Sequence, residues 1–213
     1  MFKAVLWDFG GVITSSPFEA FNRYESERGL PKDFLRSINA TNPDTNAWAK
    51  LESSQVSVDE FDGLFAQEAE AKGHRVMGRE VLDLLSGDVR QEMVRALHLI
   101  KENHRIGCIT NNVNTGQGPG MAKTTAKAAQ VAEIMALFDV VIESSKVNIR
   151  KPDPAIYKMT CEQMSLRPEE TIYLDDLGIN LKPARALGMT TIKVLNADQA
   201  LKELEALLNM SLR

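Results

Sequence analysis

The chain has 213 residues, of which 44% are hydrophobic and 25% charged, and a formal net charge of −4. This is globular material, large enough for one sizeable core and a small appended subdomain, and its weak acidic balance gives no basic footprint for nucleic acid or for an anionic membrane surface. No stretch nears the roughly 18 apolar residues of a membrane span, and the N-terminal apolar run stops at Asp8 without a signal-peptide pattern, so a cytoplasmic protein is expected.

Ala4-Val5-Leu6-Trp7 runs straight into Asp8 and then Phe9-Gly10-Gly11. Four apolar residues ahead of a carboxylate and two glycines predict a buried strand that delivers Asp8 to an exposed edge and turns sharply. The pattern then becomes helical. Phe18, Phe21, Tyr24 and Glu25 begin a helix that ends at Gly29, Pro31 restarts the chain into residues 33–38, and Asn42-Pro43-Asp44 is a turn. Ser57-Val58-Asp59-Glu60 has the capping-box form, with Phe61, Leu64, Phe65 and Ala69 at helical spacing and Gly73 as the stop. No period-2 strand interrupts this region. Residues 15–86 are therefore expected to form a small helical domain inserted after the first strand, with residues 1–14 and 87–213 forming the core. Its aromatics Phe18, Phe21, Phe34 and Trp48 fit a helical core better than the lining of a lipid cleft.

Strand and helix alternate from there on, as in a parallel sheet covered by helices. Met93, Ala96, Leu97 and Ile100 make a helix stripe, and Arg105-Ile106-Gly107-Cys108-Ile109 is a strand ending in Thr110-Asn111-Asn112. The run Gly116-Gln117-Gly118-Pro119-Gly120 is a flexible loop, residues 121–138 a helix and 139–143 a strand. Lys151-Pro152-Asp153-Pro154 opens the next helix. Thr171-Ile172-Tyr173-Leu174 runs into the pair Asp175-Asp176, a helix from about Asn180 ends at Gly188, and Thr191-Ile192-Lys193-Val194 is the last strand. The final helix carries Leu201, Leu204, Leu207 and Leu208 on one face. The fold class is α/β, a doubly wound Rossmann-like parallel sheet. Cys108 and Cys161 are expected to be core thiols, and His74, His98 and His104 share no ligand spacing.

Such sheets bind ligands at the carboxyl ends of their strands. Those positions hold Asp8, Thr110, Asn111, Asp175 and Asp176, with Lys151 at a nearby helix start. Three converging carboxylates repel one another unless a cation sits among them, and hard oxygen ligands of this kind suit Mg2+. Thr110 and Asn111 as donors, Lys151 as a compact positive charge and the backbone N–H groups of Phe9, Gly10 and Gly11 supply what a tetrahedral anion needs. The pattern is that of a phosphoryl-transfer site.

The four segments resemble, in order, the four motifs of the haloacid dehalogenase-like (HAD) superfamily, and the resemblance covers essentially the whole chain. The stretch from Leu174-Asp175-Asp176-Leu177-Gly178 through Asn180, Pro183 and Arg185 to Gly188-Met189, with the tail Ala200-Leu201-Lys202-Glu203-Leu204-Glu205, is similar to the N-terminal phosphatase domain of soluble epoxide hydrolase and to the related domain of a vertebrate acyl-CoA dehydrogenase family member. The resemblance implies an aspartyl-phosphate on Asp8, a phosphate oxygen fixed by Thr110, and Lys151 neutralising both. It implies Mg2+ held by Asp8, the Gly10 carbonyl and Asp176, with Asp175 acting directly or through a water. The helical insertion corresponds to the family's C1 cap.

One position departs from the family. Its phosphatases usually carry a second aspartate two residues after the nucleophile as general acid and base, and this chain has Gly10. The loss is typically worth about 10²- to 10⁴-fold in rate and weighs least on good leaving groups. Thr14 and Asn112 are candidates for positioning water. Three readings follow: a Mg2+-dependent phosphatase or phosphotransferase, a dehalogenase-like enzyme in which Asp8 displaces halide, and a non-catalytic phosphate-binding module.

Overall fold

In the computed structural model, which describes residues 2–113 and 124–213, strand β1 (Ala4–Trp7) lies at the centre of a parallel sheet. Helices α1 (Pro17–Glu27), α2 (Phe34–Ala40), α3 (Ala47–Glu52), α4 (Val58–Glu70) and α5 (Gly78–Leu82) follow it without an intervening strand. The chain continues through α6 (Gln91–Lys101), β2 (Arg105–Thr110), α7 (Thr125–Met135), β3 (Val140–Glu143) and the short α8 (Ser144–Val147). It closes with α9 (Pro154–Gln163), β4 (Thr171–Asp175), α10 (Gly178–Ala186), β5 (Thr190–Lys193) and α11 (Ala197–Leu208).

The strand order is β3-β2-β1-β4-β5, and Trp7 pairs with Cys108 on one side and Leu174 on the other. All four residues of β1 are completely buried because helices cover both faces, which is why the strand reads as an unbroken apolar run. Val5 and Trp7 face the layer containing Ile106, Cys108, Leu174, Met93, Leu97 and Leu201, whereas Ala4 and Leu6 face Ile156, Tyr157, Tyr173 and Leu181. Each large apolar side chain buried this way contributes about 1.5–3 kcal/mol. The strand order reverses between β1 and β4, so the crevice at that switch point receives the residues that end those two strands, Asp8 and Asp175.

The inserted helices have their own core of Phe21, Phe34, Leu35, Ile38, Leu51, Phe61 and Phe65. Phe18 and Trp48 pack against it. The chain leaves and re-enters the sheet domain side by side: Thr14 and Val89 form an antiparallel bridge, and the Ser15 N–H donates to the Asp88 carbonyl at 2.8 Å. The capping box forms, with the Ser57 N–H on Glu60 Oε2 at 2.7 Å and the Glu60 N–H on Ser57 Oγ at 3.2 Å. At α2, Asp33 makes no side-chain cap. The buried Glu25 of α1 replaces it, accepting from the Asp33 and Leu35 N–H groups at 2.9 Å each.

Helices α3 and α5 were not expected, because six and five residues are too few to show a periodic stripe. Leu207 of α11 is 37% exposed; the buried stripe runs through Ala197, Ala200, Leu201 and Leu204 instead. Residues 116–120 and the expected helix start at Met121 lie outside the described residues. Cys108 and Cys161 are buried free thiols, and His74 meets the Phe34 ring edge-on at 5.2 Å. Among the described residues no helix is long and apolar enough to cross a membrane.

Candidate active site

Asp8 follows β1 directly, its N–H donating to the Leu174 carbonyl of β4 at 2.8 Å. It is only 7% exposed rather than set at an open edge, because β1 is the central strand and Lys151 lies against the carboxylate. Asp8 Oδ1 accepts from its neighbour's Phe9 N–H at 2.7 Å and from Lys151 Nζ at 2.8 Å. Oδ2 has no hydrogen-bond partner among the described residues, so the two oxygens are chemically distinct.

Lys151, 1% exposed, also reaches Asp175 Oδ2 at 2.9 Å. Asp175 is saturated. Its Oδ2 further accepts from the Tyr173 hydroxyl at 2.5 Å and Asn180 Nδ2 at 3.1 Å, and its Oδ1 from the Leu177 N–H at 2.8 Å and Asn180 Nδ2 at 3.1 Å. Asp176 is less enclosed and accepts from Ser16 Oγ at 3.3 Å. One oxygen from each of Asp8, Asp175 and Asp176 falls within 4.8 Å of the others.

The charges do not balance within the cluster. Burial alone would lower the Lys151 ammonium, but Asp175 and Asp8 outweigh it and hold that pKa above its ordinary value. Burial raises the Asp8 carboxyl, and Asp175 and Asp176 add to this while Lys151 opposes it. Burial, then the Asp175 charge, pushes the Asp176 carboxyl up to about 6. Among the described residues one ammonium thus faces three carboxylates, and the excess is what a divalent cation would neutralise. Hard carboxylate oxygens that can share their ion with phosphate match Mg2+.

The other residues singled out in the sequence fall around this centre. Thr110 ends β2, buried, with Glu143 as its register partner. Asn111, expected as a donor to an anion, holds the Lys151 backbone at both ends: its Oδ1 accepts the Lys151 N–H at 2.8 Å and its Nδ2 donates to the Lys151 carbonyl at 3.0 Å. Asn112 is occupied, donating to Glu143 Oε2 at 2.7 Å and accepting from Ser145 Oγ at 2.9 Å. Thr14 Oγ1 donates to the Ser15 carbonyl. The Phe9 carbonyl accepts from Ile13 and Thr14, closing the turn after Asp8, while the Phe9 N–H is already used by Asp8.

The two glycines differ sharply. A Cβ on Gly10 would have no heavy atom of the described residues within 4 Å beyond its chain neighbours, so an added side chain would start in open space. A Cβ on Gly11 would lie 2.3 Å from Asp176 Oδ2, and its φ of +77° suits glycine. Ser16, Tyr173 and Asn180 join the site without being among the residues the sequence predicts for it. Only Tyr173 carried a signal, since it precedes Asp175 by two and shares its side of β4.

A family model of haloacid dehalogenase-like hydrolases matches residues 2–188. The chain is 31% identical to acyl-CoA dehydrogenase family member 10 of Mus musculus over 99% of its own length and 20% of the relative's. It is 29% identical to bifunctional epoxide hydrolase 2 of the same species over 95% of its length and 38% of the relative's. The chain thus spans between a fifth and two fifths of these two curated relatives. Sesquiterpene phosphatase astK of Aspergillus oryzae matches at 25% identity over 97% of this chain and 96% of its own. Among solved structures, a Bacteroides thetaiotaomicron HAD family enzyme in complex with magnesium and inorganic phosphate superposes with a TM-score of 0.63 at 19% identity, covering 96% of this chain and 99% of that one, which shows the shared fold.

Proposed function

The chain belongs to the haloacid dehalogenase-like hydrolases, and on that premise we propose that it cleaves a small phosphate monoester, a phosphorylated metabolite or a lipid phosphate, by transferring the phosphoryl group to Asp8 and then to water. The observation that carries this reading is the asymmetry of Asp8. Its Oδ1 is held by Lys151 and the Phe9 N–H, and its Oδ2 is left to attack.

In the first step Asp8 Oδ2 bonds to phosphorus as the bond to the leaving oxygen breaks, and that oxygen takes the electron pair. In the second, water attacks phosphorus, releasing inorganic phosphate and regenerating the carboxylate. Lys151 stays protonated throughout and offsets the charge on Asp8 and the transferring group. The Thr110 hydroxyl and the N–H groups of Gly10 and Gly11 orient the phosphoryl oxygens, and Asn111 fixes the Lys151 backbone. Mg2+, held by Asp8, the Gly10 carbonyl and Asp176, would supply further positive charge against the phosphoryl oxygens. Asp175, with four hydrogen bonds and the Lys151 ion pair converging on it, serves best as the anchor of Lys151. The inserted helices act as the cap that excludes water and selects the leaving group.

None of the candidate positions among the described residues offers a side chain to protonate the leaving oxygen. Gly10 has none, and Asn112 and Thr14 are bonded elsewhere. Leaving groups that depart without a proton, such as those of acyl phosphates, aryl phosphates and sugar 1-phosphates, are therefore favoured. Halide displacement from a 2-haloacid is the weaker alternative, because a metal-free reaction has no use for the carboxylate excess. A binding module without turnover would leave Asp8 dispensable. Hydrolysis of an aryl phosphate by wild type and Asp8→Asn, with and without Mg2+, tests the proposal. Turnover that needs both Asp8 and the cation supports it; metal-free halide release, or no Asp8-dependent turnover, contradicts it.

A further inference from the structure

Lys151 sits on a loop, yet its ammonium has to stay within hydrogen-bond reach of two carboxylates at once. Part of what holds that loop comes from the cap. Glu52, the last residue of α3, is 8% exposed, and its Oε2 accepts from Arg150 Nε and Nη2, both at 2.7 Å, while its Oε1 accepts from the Trp48 indole at 2.9 Å. Arg150 Nη1 donates to the cap carbonyl of Pro43 at 2.9 Å. The ring closes on the core side. Asn111 Nδ2 lies 3.4 Å from Glu52 Oε2, and the same Asn111 amide brackets the Lys151 backbone. Glu52, Arg150, Lys151 and Asn111 thus form one continuous circuit that spans the cap and the two loops after β2 and α8.

We propose that Glu52 is a positioning residue for Lys151, acting across the boundary between cap and core through Arg150 and Asn111. The Glu52 and Arg150 side chains are 10% and 22% exposed, so the two-pronged pair is shielded from water and salt and holds a direction as well as a charge. With the cap seated, Arg150 is pulled toward α3 and the Asn111 amide is oriented, and the next residue presents its ammonium to Asp8. With the cap lifted, the guanidinium and the amide both lose a partner. Lys151 is then correctly placed only beneath a seated cap, which confines phosphoryl transfer to the enclosed site. This assignment rests on the phosphoryl-transfer reading only in what Lys151 serves; the circuit itself can be tested without turnover.

The test compares Glu52→Gln and Arg150→Lys with Glu80→Gln, which breaks a contact wholly inside the cap, where Glu80 bonds Tyr24 and Arg28 at 2.5 and 2.9 Å. Hydrogen exchange at the Lys151 amide, melting temperature, and kcat for an aryl phosphate are measured for each. Glu52→Gln is expected to speed exchange at Lys151 by about tenfold and to lower kcat by about 10- to 100-fold. Arg150→Lys, which keeps the charge and loses the fork, moves both in the same direction to a smaller extent. Glu80→Gln changes neither, even where it lowers the melting temperature. The proposal is overturned if Glu52→Gln and Arg150→Lys leave Lys151 exchange at the wild-type rate, or if Glu80→Gln matches their effect. If wild type shows no Asp8-dependent turnover, the phosphoryl-transfer reading falls while the exchange data still decide the role of Glu52.

Discussion

Gly11 and Asp176 compete for one space: a Cβ at position 11 would lie 2.3 Å from Asp176 Oδ2, with the Asp176 carboxyl carbon only 2.5 Å away. Gly11→Ala therefore has to move Asp176 and also place a side chain at a φ of +77°, which alone costs about 1–2 kcal/mol. The expected outcome is a loss of that size in urea unfolding, together with Mg2+ affinity at least tenfold weaker by titration calorimetry, where a 1.4 kcal/mol loss is tenfold. Gly10→Ala, one residue away in open space, should change stability by no more than about 0.5 kcal/mol.

The same vacancy makes Gly10→Asp a gain-of-function test. A Cβ there meets no described neighbour beyond the adjoining residues, and an aspartate carboxyl would offer the leaving oxygen a proton. Hydrolysis of an alkyl phosphate should rise by up to about 10²- to 10⁴-fold, with a much smaller gain for an aryl phosphate. Equal rates for wild type and variant on both substrates would show that the site works by a route in which that proton is irrelevant.

Lys151→Met removes the one ammonium bonded to both Asp8 and Asp175 and leaves both carboxylates buried. Breaking a buried pair in this way costs about 3–5 kcal/mol. The loss should be largest at neutral pH and shrink as pH falls, because the Asp8 carboxyl, raised by burial and no longer opposed by Lys151, then takes up a proton in the folded state. Chemical unfolding at neutral and at acidic pH checks this.

Asp176 gives a pH dependence of defined sign. Its folded pKa, pushed up to about 6 from an ordinary 3.8, means that the folded protein binds more protons than the unfolded chain between those values. Without divalent cation, stability should therefore be highest below that window and fall as pH rises through it. Saturating Mg2+ should flatten the slope, raise the melting temperature at pH 7 and release protons on binding. Asp176→Asn should remove its share of the slope and leave the part that the raised Asp8 carboxyl contributes. Differential scanning calorimetry across pH 4–7, with and without Mg2+, measures all of these.

Much of this was legible in the chain itself. The β1 run into Asp8, the stripe Met93, Ala96, Leu97 and Ile100, and the Asp175-Asp176 pair all carried strong local patterns, and the parallel α/β architecture follows from their alternation. Contacts between segments distant in sequence left no such trace. Nothing near Glu25 announces that it caps α2, nothing near Ser16 that it meets Asp176 across 160 positions, and nothing in α3 that Glu52 reaches Arg150. Gly10 and Gly11 look alike in sequence and separate only through what surrounds them: Gly11 is held by the approach of Asp176, and Gly10 borders open space.

The central claim is that Asp8 becomes phosphorylated, and the most direct measurement is mass spectrometry of acid-quenched protein after mixing with Mg2+ and an aryl phosphate. With no acid–base group at Gly10, the proposed intermediate is expected to hydrolyse slowly and to accumulate. The account predicts a phosphoryl adduct on the peptide containing Asp8, stable in acid, lost in alkali and absent from Asp8→Asn. Substrate turnover without that adduct, or an adduct that persists in Asp8→Asn, would contradict it.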